Sequence, residues 1–76
     1  MEMMEYVVVW APEGGAEEFV GVAESLAEAR ELVARHEAGD LFPSRRPPAW
    51  YDESIEPVEW TGDDGYYAIV ARLELP

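Results

Sequence analysis

The chain has 76 residues, 17 of them acidic against five arginines and no lysine, for a formal net charge of -12. Such a surface repels phosphate backbones and anionic membranes, because both are bound by neutralising them with Lys and Arg. The absence of cysteine excludes disulfides, a thiol nucleophile and a cysteine-based zinc site.

A hydrophobic content of 49% with 12% aromatic residues is too high for a disordered acidic tail. The expectation is one small folded domain over residues 1–76, of marginal stability, since a chain this short hides only about 60% of its unfolded surface. The longest apolar run, Tyr6 to Ala11, falls far short of the ~20 residues that span a bilayer, and Met1 to Glu5 has no basic n-region of a signal peptide. A cytoplasmic location is therefore expected.

Glu5 to Trp10 reads as a first strand, because Tyr, three Val and Trp are β-formers and the run is apolar at consecutive positions. A strand apolar on both faces belongs in the centre of a sheet. After a turn with Pro12, Gly14 and Gly15, Glu17 to Ala23 reads as a second strand, with Val20 and Val22 on one side and Phe19 and Gly21 on the other.

Ser25 to Ala38 carries the helix signal. Ser25 and Glu28 form a capping box, so the helix runs from about Leu26 to Ala38, and Gly39 supplies the left-handed stop. Leu26, Ala29, Leu32, Val33 and His36 recur on one face, which must be buried.

Between Gly39 and Trp50 the prolines Pro43, Pro47 and Pro48 favour extended polyproline geometry, and Arg45 and Arg46 make the one locally basic spot. Leu41, Phe42 and Trp50 are the apolar side chains available there to tuck against the domain. Tyr51 to Trp60 reads as an irregular third strand broken by Pro57, hence an edge or a bulge. Thr61 to Gly65 is a turn, and Tyr66 to Leu75 alternates as a fourth strand.

The order ββαββ gives an α+β two-layer sandwich: a four-stranded, mostly antiparallel sheet, ordered 2-1-4-3 or 2-1-3-4, with one helix on one face. The pattern assigns Val7, Val9, Val20, Val22, Ile69 and Leu73 to the helix side. Tyr6, Val8, Trp10, Phe19, Tyr66 and Val70 are then left on the far side with no second helix to hide them. An apolar face of that size predicts a homodimer, with Tyr6, Trp10, Phe19 and Tyr66 as contact residues, unless Leu41, Phe42 and Trp50 fold over it.

No catalytic residue, cofactor site or metal site is expected. Ser25 is used as a cap, Ser44, Ser54 and Thr61 stand in irregular segments, and the lone His36 suits a helix C-terminus as a structural group. Asp63, Asp64 and Gly65 lack the alternating ligands of a calcium loop and read as turn chemistry. The expected function is a non-enzymatic protein-interaction module whose acidic surface binds a basic site on a partner protein. Its extreme form is an inhibitor that mimics nucleic acid, of the kind phages direct at host enzymes; the alternative is a small self-associating accessory protein. Asp52, Glu53, Glu56, Glu59, Asp63 and Asp64, six acids within thirteen residues and no base among them, are the candidate docking row.

Overall fold

The computed structural model describes residues 3–42, 46–52, 54–61 and 65–74. Its elements are β1 (Met3–Pro12), β2 (Glu18–Ala23), α1 (Leu26–Glu37), β3 (Glu59–Thr61) and β4 (Gly65–Glu74). The four strands form one antiparallel sheet in the order β2-β1-β4-β3, with α1 across one face. This is the α+β sandwich expected from the sequence, and of the two strand orders considered it is 2-1-4-3. The apolar run of the first strand occupies a central position, paired along its full length with β4.

The helix begins as its cap predicts. Ser25 Oγ accepts the Glu28 amide at 3.1 Å, while the Glu28 carboxylate reaches one residue further back than a standard box and accepts the Glu24 amide at 3.4 Å. Ala38 is the C-cap and Gly39 follows with a φ of +80°, a conformation that costs glycine nothing. Ala29 and Val33 are buried on the inner face, with Leu26, Leu32 and His36 beside them.

The assignment of residues to the two faces of the sheet is the main correction. The helix side carries Tyr6, Val8, Trp10, Val20, Ala23, Tyr67 and Ile69, whereas Val7, Val9 and Phe19 form a second buried cluster on the far side. Of the residues expected under the helix, Val20 and Ile69 are there; Val7 and Val9 face away and Val22 is 45% exposed. The side chains of Leu73 and Tyr66 lie outside the described set.

The cause on β2 is a bulge. Val8 pairs with Gly21 and Val9 with Phe19, which leaves Val20 without an opposite number and breaks strict alternation. Val20 and Gly21 therefore both lie toward α1, and a Cβ on Gly21 would stand 3.3 Å from Leu32 Cδ1. On β1 all three valines are buried, at 0%, 0% and 3% exposure, so apolarity alone carries no information about which way each points.

The far face is covered by the segment between α1 and β3. Trp50 and Tyr51 pack on Val7, Val9 and Phe19, with the Phe19 and Tyr51 ring centroids 6.4 Å apart. Trp50 thus folds back as one of the sequence expectations had it. Leu41 instead joins the helix-side cluster, and Phe42 is 95% exposed. The third strand shrinks to Glu59–Thr61, since the described residues between Tyr51 and Val58 lie in the turns and irregular chain of this strap.

Val8, fully buried under the helix, and Val22, expected there but 45% exposed, give opposite expectations for charged substitutions. Val8→Asp places an unpaired carboxylate under the helix and abolishes the cooperative unfolding transition. Val22→Asp changes stability by no more than about 1 kcal/mol. Urea unfolding followed by circular dichroism checks both, and equal losses at the two positions would contradict the burial assigned to them.

Candidate interaction surface

Three of the six acids of the expected docking row, Asp52, Glu56 and Glu59, are among the described residues. Glu53, Asp63 and Asp64 lie outside the described residues. Asp52 is folded into its own turn: Oδ1 accepts the Ser54 amide at 2.8 Å, and that hydrogen bond holds the carboxyl below the usual aspartate range. Glu56 is exposed.

Glu59 is an ion-pair partner. The Arg30 guanidinium grips it from α1 in a two-pronged contact, Nε to Oε2 at 3.0 Å and Nη2 to Oε1 at 2.7 Å. Hydrogen bonding to Arg30 depresses the Glu59 carboxyl, and the same hydrogen bond raises Arg30. The sequence shows no base near Glu59; Arg30 comes 29 positions earlier, and only the packing of helix on sheet brings it in.

Three of the four aromatic candidates do not share a face, and the side chain of Tyr66 lies outside the described residues. Tyr6 and Trp10 pack under the helix, and Phe19 is buried on the far side under Tyr51. The strap covers Val7, Val9 and Phe19, so Phe19 is not part of an exposed aromatic patch.

The structure also assembles groups that the sequence left apart. At the C-terminal turn of α1, His36 Nδ1 lies 2.7 Å from the Tyr67 hydroxyl and Nε2 lies 3.7 Å from a Glu18 oxygen. The arrangement that satisfies both partners puts the ring proton on Nε2, facing the carboxylate, and leaves Nδ1 to accept the Tyr67 O–H. Trp10 closes the cluster, its ring centroid 4.5 Å from that of Tyr67. Burial pushes the Tyr67 phenol above its ordinary pKa, and the negative fields of Glu37 and Glu18 add to the effect. A phenol held neutral and buried is a poor nucleophile, so the trio reads as a brace that ties α1 to β2 and β4.

A second brace holds the strap. Trp50 Nε1–H donates to Glu5 at 3.2 Å, and Arg72 lies 5.1 Å from the Trp50 ring centroid and 4.0 Å from the Glu5 carboxylate. The Tyr51 hydroxyl donates to Glu17 at 3.3 Å. Glu5 and Arg72 are directly opposed on β1 and β4, which is the pairing that an alternating strand pattern allows but cannot by itself reveal.

Between α1 and the β3 edge runs a groove of 220 Å³, with buried Val33, Tyr67 and Ile69 against the Arg30–Glu59 pair. Among the described residues no three or more His, Asp or Glu side chains are grouped as a metal site, and no helix is long and apolar enough to cross a membrane. No family model, curated protein or solved structure matches the chain, so the reading of function rests on its own residues.

Tyr67→Phe removes one partner of a half-buried hydrogen bond and costs about 1 kcal/mol at neutral pH. The raised phenol pKa makes the neutral-tyrosine contribution fully present below the ordinary value of 10.0 and lost as pH rises through the folded value. The stability gap between parent and Tyr67→Phe, read from urea melts, therefore stays level to about pH 9 and narrows above 10. A gap that widens with alkali would contradict the buried neutral phenol.

Glu59→Lys faces Arg30 with a like charge and lowers the melting temperature, whereas Glu56→Lys leaves it unchanged or raises it. Equal effects at the two positions would contradict the distinction between braced and displayed carboxylates.

Proposed function

We propose that the protein is a non-enzymatic interaction module that docks on a basic site of a partner protein through its acidic surface. The observation that carries this reading is an imbalance which the fold has no means to neutralise. Five arginines serve at most five of 17 carboxylates, and the described core contains no buried polar or charged residue. The surplus is displayed, and it steers association toward positive surfaces.

Two of the arginines are committed to the architecture, Arg30 to Glu59 and Arg72 to Glu5 and Trp50. The start and outer side of α1 display Glu24 and Glu31, with Arg35 on the same helix, while the exposed Glu17, Glu18 and Glu28 are engaged by Tyr51, His36 and the Glu24 amide. A nucleic-acid-binding enzyme or complex is one class of partner with a fitting basic channel; direct binding of nucleic acid is disfavoured by the same charge.

The test exchanges displayed carboxylates and spares the braced ones. The triple variant Glu24→Lys, Glu31→Lys, Glu56→Lys keeps the fold by circular dichroism and loses the basic proteins that the immobilised parent captures at about 50 mM salt and releases at about 500 mM. Identical captured sets for parent and variant would refute acidic docking.

A further inference from the structure

We propose that Trp60, at the open edge of the sheet, is the anchor for an arginine side chain on an extended basic segment of the partner. The inference rests on the acidic-docking reading and adds to it a contact residue and a preferred cation.

The position follows from the register. Phe19, Val9, Ala68 and Trp60 stand side by side across β2, β1, β4 and β3, a single apolar row on the face away from α1. The first three are buried, at 9%, 3% and 7% exposure, and the strap covers the middle of the row. Trp60 continues it past the strap and is 65% exposed, with Val58 just before it at 58%. Since β3 is the last strand, no described element lies beyond this indole.

The electrostatics select the occupant. Glu56 is displayed in the strap leading into β3, on a chain of net charge -12. Arg30, which lines the same groove as Trp60, is neutralised by Glu59, and Arg72 sits at the far end of β4 against Trp50. An apolar, electron-rich indole on so acidic a chain suits a group that is both cationic and weakly hydrated. A guanidinium stacks flat on such a ring while its alkyl stem lies on Val58; the compact, strongly hydrated lysine ammonium does so less well. The same chain offers the pattern internally, where Arg72 lies over Trp50 beside Glu5. An exposed tryptophan is also the side chain most often found to dominate the energy of a protein interface.

The experiment titrates the full chain with short dye-labelled peptides of alternating glycine and arginine, or glycine and lysine, at about 50 mM salt. Fluorescence anisotropy gives the affinity, and proton–nitrogen spectra follow the indole N–H signals, Trp60 being assigned from its loss in Trp60→Phe. The parent is expected to bind the arginine peptide more tightly than the lysine peptide and to shift the Trp60 indole signal, with Trp10 unmoved. Trp60→Ala, checked for its fold by circular dichroism, binds the arginine peptide about fivefold more weakly, the scale of an exposed cation–π contact, and loses the preference over lysine. Should Trp60→Ala fail to fold, the parent's indole shift and the intermediate affinity of Trp60→Phe decide alone. Binding that leaves the Trp60 signal and the Trp60→Phe affinity unchanged overturns the anchor while sparing acidic docking. A parent that binds neither peptide overturns both.

Discussion

A single helix laid across a four-stranded sheet covers one face, and in this chain both faces are apolar. Val7, Val8 and Val9 are consecutive and all buried, which requires cover on two sides. The sequence has one helix to offer, so the second cover must come from irregular chain. The proline-containing strap supplies it with Trp50 and Tyr51, large rings that bury much area at little conformational cost. Unlike a helix, a strap cannot satisfy its own polar groups. The Trp50 N–H and the Tyr51 hydroxyl are accordingly met by carboxylates on the sheet, Glu5 and Glu17, and Arg72 joins the first pair.

This arrangement gives the charges two different employments. Arg30 and Arg72 are spent on fastening peripheral elements, β3 to the helix and the strap to the sheet. Acids that face these bases act as structural clamps, whereas Glu24, Glu31 and Glu56 are presented to solvent. The excess of carboxylate is left on the outside because 17 acids face only five arginines and the described core holds no charged residue. Electrostatic repulsion among displayed acids opposes compaction modestly and is screened beyond about 10 Å at ordinary salt.

Element types and order were legible because they rest on local signals: β-branched runs, the Ser25 cap, the Gly39 stop and the alternation of the last strand. The apolar character of the first strand placed it in the centre of the sheet, while the order of the last two strands was left open between 2-1-4-3 and 2-1-3-4 and is the former. Facing was not legible, for a physical reason: a strand apolar on every residue has no polar side to orient it, and on β2 the extra residue Val20 reversed the alternation that would have helped. The acidic row looked unpaired because Arg30 is distant in sequence. The brace of Glu18, His36 and Tyr67 was legible only in part: the position of His36 at the helix end announced a structural histidine, and its two partners come from strands that only tertiary packing brings there. Pro57 marked the strand that ends at Trp60 as an edge or a bulge, and β3 is an edge, but no local signal showed that the indole stays uncovered there.

The claim on which the account turns is that the sheet is closed by the helix on one side and by the strap on the other. Nuclear Overhauser contacts from assigned valine methyls measure it directly. The account predicts contacts from Val7 and Val9 to the Trp50 and Tyr51 rings, and from Val8 to Ala29 and Val33. Contacts from Val8 to Trp50, or from Val7 to the α1 side chains, would contradict it.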